Sequence, residues 1–228
     1  MREIVLDTET TGVDALNGDR LVEIGCVELF NHVATGNTYH VYINPERDMP
    51  EEAFRIHGLS NEFLSDKPLF SEVVGEFLEF IGNDQLVIHN AGFDIGFINA
   101  ELRRIGMKSL SNPVLDTVVM ARKRFPGAAA SLDALCRRFE IDNSNRTLHG
   151  ALLDSELLAE VYLELLGGRQ PDLVLAGSEA ARDAAIRVER PRREPRPHQP
   201  LPEELAAHEA FLKGFKAAPL WFAETKAE

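Results

Sequence analysis

The sequence predicts an α/β protein with a mixed sheet. Three observations carry this. Three strand-like segments precede the first long helix. Two short, wholly apolar runs, Leu86-Val87-Ile88 and Val114-Leu115, each feed a helix. The order β-β-β-α-β-α-β-α then gives an antiparallel start and parallel crossovers.

Ile4-Val5-Leu6 reads as a buried strand within residues 2–8. Asp14 to Asp19 is a turn-rich loop around Asn17-Gly18. The run from Leu21 to Phe30 reads as a long second strand. Tyr39 to Ile43 reads as a third, paired antiparallel through a turn at Thr35-Gly36-Asn37. Pro45 and Pro50 close the hairpin region, and short helical pieces follow at Glu51–Ile56 and Asn61–Leu64. Phe70, Val73, Val74, Phe77, Leu78 and Ile81 recur at helical spacing and predict an amphipathic helix over 70–81. A second helix, Asp94 to Ile105, offers Ile95, Ile98, Leu102 and Ile105 as its apolar face. Residues 117–124 and 131–139 read as helices separated by Pro126-Gly127, with Ser131 as an N-cap. Leu152 to Leu166 is the last helix of the body, ended by Gly167-Gly168.

The body spans residues 1–168. A linker follows over 169–200, where five arginines from Arg187 to Arg196 mix with prolines, a composition too polar to pack. In the closing segment, 201–228, Leu201, Leu205, Leu212 and Phe215 fall near one helical face, with Trp221 beyond them. Such a segment has no core of its own, so its expected use is docking on a partner.

The net charge of −13 lies wholly in residues 1–168, which hold 27 acids and 14 bases, while 169–228 hold 10 of each. A free nucleic-acid binder is usually basic. A body this acidic, if it handles nucleic acid, is expected to borrow affinity from a partner. The chain enters a strand at once, leaving no room for a signal peptide, and no apolar run is long enough for a bilayer. Cys26 and Cys136 sit in apolar contexts without metal-ligand spacing, which fits a reducing cytoplasm.

The chemistry gathers in three places. Asp7 and Glu9 alternate along the first strand and therefore share a face. Two carboxylates side by side resist desolvation unless a cation or a proton joins them. Asp94, in His89-Asn90-Ala91-Gly92-Phe93-Asp94, opens a helix directly after a buried strand, a position that reaches the same rim. Asp154 stands early in the last body helix among Leu152, Leu153, Leu157 and Leu158, where an acid needs a partner. His149, five residues earlier, belongs to the preceding loop and can lean over the site. Four carboxylates can hold two divalent cations about 4 Å apart for in-line phosphoryl displacement. Oxygen ligands favour Mg²⁺ or Mn²⁺. A histidine titrating near neutrality can take the proton from water. No nucleophile elbow, Walker loop or zinc cluster is present.

These motifs, Asp7-Thr8-Glu9-Thr10-Thr11-Gly12, His89 to Asp94 and His149-Gly150-Ala151-Leu152-Leu153-Asp154, resemble those of the four-carboxylate, histidine-type 3′–5′ exonucleases. The likeness is closest to the family of proofreading epsilon subunits of bacterial DNA polymerase III. It extends through Glu52 to Leu59, Ala121 to Gly127, Ser131 to Cys136, Arg146 to Gly150 and Glu203 to Glu209. The resemblance implies a ribonuclease-H-like sheet of five strands with helices on both sides. It assigns Asp7, Glu9, Asp94 and Asp154 to two Mg²⁺ or Mn²⁺ ions and His149 to general-base duty. It places Glu52, His57, Asn90 and Phe93 against the 3′ end of a DNA primer. Gln170-Pro171-Asp172-Leu173-Val174-Leu175 resembles a sliding-clamp peptide, with Gln170, Leu173 and Leu175 as contacts on the beta clamp. Leu205, Leu212, Phe215 and Trp221 would bind the polymerase alpha subunit, and a small third core subunit is a further expected partner. Two other readings share the motifs or the tail: an RNA-trimming exonuclease of the same superfamily, and a non-catalytic adaptor between polymerase and clamp.

Overall fold

The computed structural model of the chain describes residues 1–168 and 199–214. The chain divides into two units, Met1–Leu173 and Val174–Glu228. In the first, β1 (Arg2–Thr10), β2 (Leu21–Phe30) and β3 (Val33–Tyr42) form an antiparallel meander. Helices α1 (Glu51–His57), α2 (Asn61–Leu64) and α3 (Phe70–Ile81) lead to β4 (Gln85–Ile88). Helix α4 (Gly92–Arg104) connects to β5 (Val114–Asp116), and α5 (Thr117–Arg124), α6 (Leu132–Phe139) and α7 (Ala151–Leu166) follow. The sheet order is β3-β2-β1-β4-β5, with β4 parallel to both β1 and β5. This is the mixed five-stranded sheet that the element order predicts.

Strand alternation splits β1 between two cores. Ile4 and Leu6 pack with α3 and α4 through Phe70, Phe77, Ile98 and Leu102. Val5 packs on the opposite face with α6 and α7 through Leu135, Leu158, Val161 and Tyr162. Both faces of β1 are therefore dry, and its polar C-terminal residues emerge between two helical layers. Fully burying one such aliphatic side chain contributes about 1.5–3 kcal/mol, so the sheet centre is held firmly beneath whatever stands at its rim.

Two expectations are corrected. The β2–β3 hairpin turns at Asn31-His32, both with positive φ (50° and 66°), and not at Thr35-Gly36-Asn37. Those three residues lie within β3 at a register shift opposite Val27 to Leu29, where Gly36 takes φ 87°. A two-residue turn with both φ positive matches the strand twist, and asparagine tolerates that region. On α4 the buried face is Phe97, Ile98, Ala100, Glu101 and Leu102, whereas Ile105 is exposed. Ile95, Ile98 and Leu102 pack in the core as expected; Ile105 does not because it is the C-cap, one residue past the helix.

One contact fixes how α7 meets the sheet. A Cβ on Gly25 would lie 2.3 Å from the Ala151 carbonyl carbon and the Leu152 nitrogen. The Ser155 hydroxyl donates to the Gly25 carbonyl at 2.9 Å. Gly25 is the register partner of Asp7 on β1.

The second unit contains α8 (Pro202–Lys213), which starts with Pro202 and is capped by Glu204 accepting from the Leu201 N–H at 2.9 Å. Leu205 is exposed and Leu212 is buried. Gln170, Leu173, Leu175, Phe215 and Trp221 lie outside the described residues. Among the described residues no helix is long and apolar enough to cross a membrane.

Candidate active site

The four acids that the sequence singles out converge. Asp7, Glu9, Asp94 and Asp154 line one cleft of about 720 Å³, together with His149, His89, Asn90 and Phe93. Asp7 and Glu9 project from the β1 face that α7 covers. Thr8 projects from the other face, and its hydroxyl donates to Asp94 at 2.7 Å. Asp94 itself is presented by a tight turn at Asn90 (φ 67°) after β4. Asp116, the N-cap of α5, holds that turn by accepting the Asn90 and Ala91 N–H groups at 3.3 and 3.1 Å. Asp154 comes in on the first turn of α7 across the bare backbone at Gly25.

The electrostatics are those of buried, mutually repelling acids. Burial pushes Glu9 up to about 8, and the charges of Asp154 and Glu23 add to the effect. Burial likewise pushes Asp94 up to about 7, against the lowering effect of the Thr8 hydroxyl. Asp7 is raised well above the ordinary carboxylate value by burial, then by Asp94, Glu9 and Asp154. Mutual repulsion of this kind is relieved by cations. Glu9, His149 and Asp154 each offer a ligand atom, all within 4.8 Å of one another. The donors are hard oxygens and an imidazole, so the residues fit a divalent metal.

His149 stands in the loop before α7, as its offset from Asp154 requires, and its backbone N–H donates to the Ile56 carbonyl at 3.0 Å. Burial, and then Arg146, lower its pKa. An Arg146 N–H lies 3.0 Å from Nδ1. The same Nδ1 lies 3.4 Å from Asp154 Oδ2, so the ring stands between the cation and the acid, and the lowered pKa favours the neutral form a general base needs.

Arg146 is the residue that sequence reasoning missed as part of the site. Its Nε and Nη2 donate to the two oxygens of Asp154 at 2.5 and 2.6 Å, and Nη1 reaches Asp133 at 2.8 Å. Asp154 holds this guanidinium firmly protonated. Sequence reasoning gives His89 no role either. Its Nδ1 lies 2.8 Å from the Thr117 hydroxyl, which donates to the Ile88 carbonyl, so the imidazole donates there.

The expected nucleotide contacts divide. Asn90 and Phe93 line the cleft. Glu52 is exposed on α1 and does not line it. His57 is buried at the end of α1 and also stands outside the lining; its Nδ1 accepts from the Leu59 N–H at 3.1 Å.

A family model described as exonuclease matches residues 4–162. The DNA polymerase III subunit epsilon of Rickettsia felis is 60% identical over 175 residues, covering 75% of this chain and 76% of its own length. The chain belongs to the exonuclease family, among the DNA polymerase III epsilon subunits. The epsilon subunit of Salmonella typhimurium is 49% identical over 223 residues, 92% of each chain, so the similarity continues past the body into the tail. Exonuclease X, solved with 5′-overhanging duplex DNA, matches 72% of this chain and 90% of its own with a TM-score of 0.59 at 24% identity. That likeness concerns the fold. The mixed sheet with helices on both faces is the ribonuclease-H-like architecture of these exonucleases.

Proposed function

We propose that the chain is a metal-dependent 3′–5′ DNA exonuclease that proofreads for the replicative polymerase, releasing mispaired 3′-terminal nucleotides as 5′-mononucleotides. The observation that carries this is the convergence of Asp7, Glu9, Asp94, Asp154 and His149 in one cleft of an epsilon-family chain. The four carboxylates would hold two divalent cations, Mg²⁺ or Mn²⁺. When bound, those ions stabilise the charge that develops on the phosphoryl group under attack. Neutral His149 accepts the proton of the attacking water, and the Ile56 carbonyl fixes the backbone that carries it. Asn90 and Phe93 flank the terminal nucleotide. His57, its ring held by the Leu59 N–H and the Thr10 backbone, would contact the terminal nucleotide from the end of α1. Glu52 would reach the nucleotide only from its exposed position on α1.

The tail supplies partners on this reading. Gln170, Leu173 and Leu175 dock on the beta clamp, and the segment 201–228, with Leu205, Leu212, Phe215 and Trp221, docks on the alpha subunit. A small third subunit completes the core assembly, all in the cytoplasm. This division of labour accounts for a DNA enzyme whose catalytic body carries the whole net charge of −13.

The test compares hydrolysis of a mispaired DNA primer end, a paired end and a short RNA, with Mn²⁺ and with chelator. The expected order is mispaired above paired above RNA, and no turnover in chelator. A preference for RNA favours the trimming enzyme. Activity surviving Asp7→Ala with Glu9→Ala removes the metal-site assignment. Deleting residues 201–228 should abolish alpha-subunit binding and spare hydrolysis of short oligonucleotides; tight binding by the truncated chain refutes the anchor.

A further inference from the structure

Arg146 is exposed by only 8% of its side chain, and both oxygens of Asp154, itself 4% exposed, lie in its fork. Among the described residues it is the one arginine or lysine within ion-pair distance of any of the four rim acids. A third arm of the guanidinium is tethered to Asp133 on α6, at 2.8 Å. The fourth contact is to the imidazole of His149. The cation therefore joins α6, the loop before α7 and the first turn of α7, and it occupies both oxygens of an acid that a divalent ion would also need.

We propose that Arg146 is the internal counterion of the metal-free rim, competing with a divalent ion for Asp154 and so setting the affinity of the site. This rests on the reading of the rim as a metal site. Three physical points support the competition. A carboxylate whose two oxygens face a guanidinium has lost its best-aligned lone pairs to that partner. A guanidinium cannot shed its proton to make room, so it must move aside. Its other anchor, Asp133, lines the same cleft and is half-exposed, so the side chain can shift onto it without leaving a charge stranded. The counterion keeps α6 and α7 closed over a cluster of like charges when no metal is bound. It also weakens binding of the metal, because the arginine pairing must be undone first.

The experiment is a Mn²⁺ titration followed by electron paramagnetic resonance, on the full chain and on its Arg146→Ala, Arg146→Gln and Arg146→Lys variants, with thermal unfolding in chelator and in saturating Mn²⁺. The expected result is a Kd for Mn²⁺ lowered about tenfold or more in Arg146→Ala and Arg146→Gln, with Arg146→Lys in between. Metal should also raise the unfolding temperature of the alanine and glutamine variants more than that of the parent. A variant that folds only when Mn²⁺ is present supports the counterion role more strongly still. Equal or weaker Mn²⁺ binding by the folded variants overturns that role, as does a loss of stability that is the same in chelator and in Mn²⁺. Failure of the parent chain to bind Mn²⁺ overturns the metal site itself.

Discussion

Two groups of buried acids in this molecule are solved in opposite ways. Glu101, on α4, is 1% exposed, and two arginines pair with it. Arg20 Nε and Nη2 donate to Oε1 and Oε2 at 2.6 and 3.1 Å, and Arg104 Nη1 reaches Oε1 at 2.8 Å; Arg20 also pairs with the exposed Glu46 at 3.6 Å. At the rim the proportion is reversed: four carboxylates share one guanidinium among the described residues. A closed acid–arginine cluster has no use for a further cation, so Glu101 is structural. An acid cluster that its own side chains leave underneutralised can be completed only from solution, which is what a replaceable metal requires.

The strongest challenge to this contrast is to remove acids from both places. Asp7→Ala with Glu9→Ala should abolish hydrolysis while the chain stays folded, with metal-free stability equal to or above that of the parent, because repulsion has been relieved. Glu101→Ala should leave two arginines without their partner and cost about 3–5 kcal/mol in denaturant unfolding, with normal turnover in the folded fraction. Unfolding of the rim variant together with tolerance at Glu101 would reverse the assignment of the two clusters.

A smaller effect is expected at His149. Replacement by glutamine keeps the size and a hydrogen-bonding group but removes the base, and should lower kcat by about 10²–10⁴-fold at neutral pH. Unchanged turnover there would leave the ring without a catalytic part.

The least effect is in stability against pH. Glu9 is raised from 4.5 to about 8 and Asp94 from 3.8 to about 7 in the folded state. The folded chain therefore binds more protons than the unfolded chain between those limits. The rim's contribution to stability is thus full below about pH 4 and is lost as pH rises through 7 and 8. In chelator, unfolding free energy should decline between pH 5 and 8 by an amount on the order of a few kcal/mol. Saturating Mn²⁺ should flatten that slope. A metal-free profile that rises over the same interval would mean the acids are already neutralised from within.

Much of this architecture is legible in the residues. The amphipathic spacing of Phe70 to Ile81 defines α3, and Ser131 caps α6 by accepting from the Ala134 N–H. The rim acids can be found because each is a polar residue at the end of an apolar run. What is not legible depends on distance in the chain. The turn at Asn31-His32 carries no glycine, and the nearby Gly36 offers a stronger local signal that the fold uses for a register shift instead. Arg20 reaches Glu101 across 81 positions, so no periodicity can show that Glu101 faces inward. Arg146 sits in an irregular loop, and its role is defined by Asp133, His149 and Asp154 only once α6 and α7 have folded together.

The bare backbone at Gly25 bears on how such an enzyme can be silenced. The gap between Asp7 and Asp154 is set there by the missing side chain of a neighbouring strand, with the α7 backbone pressed into the space a methyl would need. Alanine at that position would act as a wedge, tilting Asp154 away from Asp7 with every acid, imidazole and arginine still in the sequence. The convergence of the rim acids thus depends on a residue that has no side-chain chemistry at all.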